Sequence, residues 1–92
     1  MRTIYKYPLS VTDQQFITLP AESKVFTVQM QGSVPCIWVI VNPNTNALER
    51  HDFRLVGTGH PFPDADEWPE YLGTFQMMGG GLVFHVFTKA RS

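Results

Sequence analysis

Three consecutive glycines, Gly79, Gly80 and Gly81, stand between two apolar arms in the stretch Tyr71 to Phe87, YLGTFQMMGGGLVFHVF. A glycine triplet makes a poor strand interior, because glycine loses the most backbone freedom on ordering and offers no side chain to pack. It makes a good turn, because glycine reaches positive φ without a Cβ clash. The arms are rich in β-branched and aromatic residues, which suit a pleated, half-buried surface. The stretch therefore predicts a C-terminal β-hairpin on which the core forms. Simple alternation sets Thr74 and Gln76 on one face with Leu72 and Met78, and Tyr71, Phe75 and Met77 on the other. His85 falls on a face with Val83 and Phe87, with Gln76 expected across the hairpin from it. Thr74, Gln76 and His85 thus form a polar stripe in an apolar setting. Such groups need partners, supplied by one another, by a neighbouring chain or by a ligand.

The remainder of the chain reads as further short strands separated by turn signals. Residues 2–8 alternate as an edge strand ended by Pro8, with Ile4, Lys6 and Pro8 facing one way and Thr3, Tyr5 and Tyr7 the other. Residues 14–20 form a short strand stopped by Pro20. In residues 24–31 alternation directs Phe26, Val28 and Met30 to the core and Val25, Thr27 and Gln29 away from it. Gly32 and Ser33 form a two-residue hairpin loop. Val34 to Val41, VPCIWVIV, is apolar on both faces. It should be a central strand covered on both sides, or present one face to another subunit. Residues 48–56 place His51, Phe53 and Leu55 on one face and Arg50, Asp52 and Arg54 on the other, as in a sheet with one wet side. Residues 57–70 hold two glycines, three prolines and four acids, and form the longest loop, with one helical turn expected at DADEW and Asp64 as its N-cap. The pattern predicts an all-β fold, a small antiparallel barrel or sandwich of six to seven strands closed by the glycine-rich hairpin. At 92 residues the chain is expected to form one domain, 1–92.

Several functions are disfavoured by composition. No apolar run approaches the ~20 residues of a membrane helix, so no membrane partner is expected. The N-terminus MRTIYKYPLS lacks the apolar stretch of a signal peptide, and a single cysteine, Cys36, forms no internal disulfide. Both observations predict a cytoplasmic setting. Seven Lys and Arg against eight Asp and Glu, without a basic cluster, argue against duplex nucleic acid. His51, His60, His85 and Cys36 show no zinc-ligand spacing, so neither a metal nor a cofactor is expected. Cys36 lies in an apolar strand and no G-x-S-x-G occurs, so no catalytic set is assigned and the chain is read as a non-enzyme. An enzyme reading would need His60 and His85 to converge with an acid. Gly57-Thr58-Gly59-His60 reads as a β-turn; as an anion-binding nest it would also need its backbone N–H groups to converge.

The blocks TIYKYPL (3–9), VQMQGSVPCIWVIV (28–41), FRLVGTGHPF (53–62) and YLGTFQMMGGGLVFHVF (71–87) together resemble a family of small uncharacterised phage and prophage proteins. The likeness covers nearly the whole chain, and its hallmarks are the Y-K-Y start, the G-T-G-H segment and the G-T-F-Q…G-G…L-V-F-H-V-F end. The resemblance implies a phage or prophage origin, a host-cytosol setting and an accessory role; it transfers no catalytic motif. By analogy, small phage accessory proteins include sponges that sequester nucleotide immune signals.

Two functional expectations follow. The first is a non-catalytic homo-oligomer that binds a nucleotide. A base would stack on Tyr5, Tyr7 or Trp38, with Lys6, Arg50 or Arg54 near phosphates and His60, Thr74, Gln76 and His85 as polar contacts. The second is a protein-binding inhibitor or structural accessory protein, which uses an exposed Trp68 and the acids Asp64, Asp66, Glu67 and Glu70.

Overall fold

A computed structural model describes residues 1–89 and shows an all-β chain of seven strands in two antiparallel sheets. The strands are β1 (Thr3–Pro8), β2 (Gln14–Pro20), β3 (Lys24–Gln31), β4 (Val34–Val41), β5 (Leu48–Gly57), β6 (Glu70–Met77) and β7 (Leu82–Thr88). Two single turns of 3-10 helix, Ala65–Glu67 and Met78–Gly80, are the only helical pieces among the described residues. Sheet order is β1-β4-β3 in one layer and β2-β5-β7-β6 in the other. The layers do not close into a barrel. The smallest extent, 16 Å, is that of two stacked sheets, which pack about 10 Å apart.

The core lies where the inner faces meet. β4 contributes Ile37, Val39 and Val41, all fully buried, and β5 contributes Phe53 and Leu55. Val28, Leu19, Phe75 and Val86 complete it from the flanking strands. β4 is central in its sheet, as its apolar sequence requires, but only its inner face is covered by the other sheet. Its outer residues, Trp38 and Ile40, are half-buried and Val34 is exposed.

Two β-bulges shift the alternation read from the sequence. In β3 the register steps from Val25 opposite Val39 to Thr27 opposite Trp38, which leaves Phe26 as an extra residue. Val25 therefore turns to the core, and Phe26, expected inside, is exposed. In β6 the register steps from Tyr71 opposite Phe87 to Gly73 opposite Val86, with Leu72 extra. Tyr71 thereby joins Thr74 on the outer face and Leu72 packs against the core, the reverse of simple alternation. One extra residue flips everything before it, because the side-chain period is two.

The glycine hinge forms the turn, displaced by one residue. Met77 pairs with Leu82, so the loop is Met78 to Gly81. Positive φ occurs at Met78, Gly79 and Gly80, whereas Gly81 is right-handed. Gly32 takes φ +59 in the tight loop between β3 and β4, where Gln31 pairs with Val34.

Candidate functional site

Part of the outer face of the four-stranded sheet, around Arg54 and Phe87, is roofed by the loop 58–69. Arg54 projects outward from β5 and meets Asp64 in a two-pronged contact, Nε to Oδ2 at 3.1 Å and Nη2 to Oδ1 at 3.1 Å. Its Nη1 donates to the carbonyls of Asp13 and Leu55. The Trp68 indole N–H donates to Asp64 Oδ2 at 3.1 Å. Phe62 packs on Phe87, with ring centroids 5.0 Å apart. This clamp bears on three expectations. Arg54 uses four of its five N–H donors within the chain, which leaves one Nη2 N–H for a phosphate. Trp68 is 3% exposed rather than a surface contact. Asp64 precedes the 3-10 turn but makes no capping bond there, because its carboxylate serves Arg54 and Trp68. The protein-contact reading of the acidic segment is left with Asp66, Glu67 and Glu70, all exposed.

The polar stripe of the hairpin is satisfied mostly by itself. Thr74, not Gln76, lies across from His85; Gln76 is opposite Val83 and exposed. The Thr74 hydroxyl is 2.9 Å from His85 Nδ1, and the Thr58 hydroxyl is 2.7 Å from Nε2. Tyr71 Oη bonds to the Thr74 hydroxyl, a contact made possible by the bulge at Leu72. Both ring nitrogens of His85 are thus held by hydroxyls, which act as donor or acceptor as the tautomer requires. Gly57 to His60 is the expected β-turn, closed by the His60 N–H donating to the Gly57 carbonyl at 3.0 Å, with Gly59 at φ +83. The His60 ring lies against Gly57, whose missing Cβ would sit 3.0 Å from Nδ1. A groove of about 160 Å³ opens beside it, between Thr58, His60, Gly81 and Phe84. Among the described residues no carboxylate joins His60 and His85, and no three His, Cys, Asp or Glu gather as a metal set.

The other expected ligand residues fall on the three-stranded sheet, on opposite faces. Tyr5 and Tyr7 pair with Val39 and Ile37 and so share the inner face; their rings lie 6.5 Å apart at the β1 edge. Tyr7 is half-buried against the core, and burial, with Tyr5 nearby, raises its phenol above the usual tyrosine value. Lys6 pairs with Trp38 on the outer face. One chain therefore brings Lys6 and Trp38 together but not with Tyr5 and Tyr7. Arg50 stacks 4.0 Å from the Phe16 ring centroid and bonds Asp52 on the far sheet.

The outer face of the three-stranded sheet has a distinct chemistry. Its strands hold two lysines, Lys6 and Lys24, and no Asp or Glu. Ile4, Phe26 and Val34 are exposed around the half-buried Trp38. The Trp38 indole N–H is shielded from solvent yet has no hydrogen-bond partner among the described residues. A buried donor left unpaired costs about 1–3 kcal/mol, so an acceptor supplied from outside would relieve it.

A match to the domain of unknown function DUF7352 spans residues 1–92. The chain belongs to this family. No curated protein and no solved structure matches the chain. Family membership leaves the chemistry to be argued from the faces described above. No helix among the described residues is long and apolar enough to cross a membrane.

A cavity between the sheets was not anticipated from the sequence. About 310 Å³ opens between the sheets beside Lys24, Val25, His51, Glu70, Leu72 and Thr88. β3 and β6 approach closely at Gly73, whose missing Cβ would lie 3.3 Å from Val28 Cβ. Nearer the starts of these two strands lie the two bulges, and there the cavity is found. Bulges bend a strand and re-aim side chains; here they direct Val25 and Leu72 into the lining.

Proposed function

We propose that this DUF7352 domain is a non-catalytic binding module that works as a homo-oligomer and takes a nucleotide at the outer face of its three-stranded sheet. The observation that carries the reading is Trp38. Its ring lies on an acid-free, apolar face beside Lys6, and its shielded N–H lacks an acceptor. A base stacks on an indole, a phosphate pairs with an ammonium, and a phosphate or base oxygen accepts the indole N–H. A second copy laid on the same face would cover Ile4, Phe26, Val34 and Ile40 and enclose the ligand between subunits. The binder reading is further supported by the hydroxyl-only partners of His85 and the burial of Cys36. The resemblance to phage and prophage proteins favours a finer version, in which a nucleotide immune signal is sequestered in the host cytosol.

A thermal-shift series with mononucleotides and cyclic dinucleotides tests the reading. A ligand that binds only the native state at 100 times its Kd stabilises it by about 2.7 kcal/mol. On a domain of this size that is a rise of roughly 10–20 °C in Tm. Lys6→Ala and Trp38→Phe should each reduce the shift. An unchanged Tm across the series at millimolar nucleotide would refute the nucleotide assignment.

A further inference from the structure

We infer that the outer face of the three-stranded sheet takes a single-stranded nucleic acid, an inference that rests on the nucleotide reading of that face and extends it from one nucleotide to a chain of them. The juxtaposition that carries it is made by the bulge in β3. Two residues of a bulged strand stand opposite one residue of its partner. Here Phe26 and Thr27 stand opposite Trp38, and Phe26 is 45% exposed. A ring turned to water adds nothing to the core, and bulges re-aim side chains beside functional sites. This bulge sets a second aromatic surface next to Trp38, on the adjacent strand.

The charges are placed for a chain rather than for one phosphate. Lys6 of β1 pairs with Trp38 and Lys24 of β3 pairs with Ile40, so the two lysines come from opposite edges of the sheet. Two strand spacings across and two residues along put their Cα atoms about 12 Å apart. The phosphate of one mononucleotide reaches one ammonium; successive phosphates of a strand reach both. None of the three strands carries an Asp or Glu, so nothing on them repels a phosphate backbone. Lys6 donates across β4 to Gln31 Oε1, which uses one of its three donors. Gln29 and Gln31 are exposed on the same face and offer amide donors and acceptors to base edges. The shielded Trp38 N–H, without an acceptor among the described residues, adds one more donor. Bases lie on aromatic side chains only when they are splayed out of a duplex, so the face selects single strands.

The test is fluorescence anisotropy of the full chain with labelled oligothymidylates and oligouridylates of one to about eight nucleotides. Affinity should climb over roughly the first three nucleotides and then level off, as two neighbouring aromatics and two lysines become filled. Tighter binding of either series supports the inference and assigns the sugar. At the longer lengths log K should fall against log salt with a slope of about −1.4, the value for two phosphates of a single strand, and Lys24→Ala should bring it to about −0.7. Phe26→Ala should weaken the longer strands about tenfold, the effect of losing one stacked base, and Phe26→Tyr should restore them. Both side chains are exposed, so circular dichroism should show the variants folded. A DNA duplex of equal length should bind more weakly than the single strand. Equal affinity for the mononucleotide and the longer strands would overturn the inference and leave the nucleotide site in place. No binding of any of them at ~1 mM would overturn both. Duplex binding as tight as that of the single strand, or an affinity and salt slope unchanged in Phe26→Ala and Lys24→Ala, would also overturn it.

Discussion

Asp64 holds the long loop to the sheet, and its chemistry ties the fold to pH. The Arg54 guanidinium holds its carboxyl below the usual aspartate range by hydrogen bonding; the Trp68 N–H and the backbone add to this and partial burial opposes it. Arg54 is raised in turn, chiefly by the same bond. A carboxyl depressed in the folded state contributes stability that is complete above its unfolded value, near 4, and is lost as pH falls through its folded value. Melting temperature should therefore fall as pH drops below about 4, and Asp64→Asn should flatten that part of the profile while lowering Tm at neutral pH. Equal slopes in the two proteins would remove the clamp from the account. Little of this was legible in the sequence. Asp64 reads as a helix cap because its partner Arg54 lies ten residues upstream on another element, and Trp68 reads as a surface aromatic because its bond to Asp64 depends on that same fold-back. The presence of two large aromatics, Phe62 and Trp68, in an otherwise polar loop was the available signal that the segment folds back.

At the scale of elements, strand positions were legible and strand faces only partly so. Turn residues and β-branched runs mark all seven strands nearly to the residue, since local chemistry sets where a ladder must stop. The faces of β1 and β5 follow plain alternation, and Phe53 and Leu55 are inside as expected, whereas β4, apolar on both faces, did not say that Ile37 and Val39 would be the inner ones. In β3 and β6 alternation fails at Phe26 and Leu72, because a bulge is fixed by pairing with another strand and not by its own sequence. The same limit put Gln76 across from His85, where the register sets Thr74. It also hid the cavity, whose lining depends on both bulges. Gly73 marks where these two edges meet. A methyl group there would press on Val28 Cβ at 3.3 Å, with the Val28 backbone N and O in ordinary contact at 3.5 Å. Gly73→Ala should cost about 1–3 kcal/mol by overpacking, which chemical denaturation would measure. A neutral or stabilising result would mean that β3 and β6 separate freely.

For the molecule as a whole, one outer sheet face is partly roofed and the other is bare. The loop 58–69 covers the four-stranded sheet around Arg54 and Phe87 and leaves Phe16 and Tyr71 exposed, whereas nothing among the described residues covers Ile4, Phe26 and Val34 on the three-stranded one. Three strands about 4.8 Å apart and eight residues long span roughly 14 by 26 Å. That plane is less than half of the ~800 Å² that each partner contributes to a standard stable interface. Self-association through this face alone is therefore expected to be reversible and concentration-dependent, and a ligand shared between copies would strengthen it. Sedimentation equilibrium over a concentration series measures this most directly. The account predicts a mass that rises from the 10.5 kDa of one chain toward twice that value, and a return to 10.5 kDa in Ile40→Lys. A mass of 10.5 kDa at every concentration up to ~1 mM, with and without nucleotide, would contradict it.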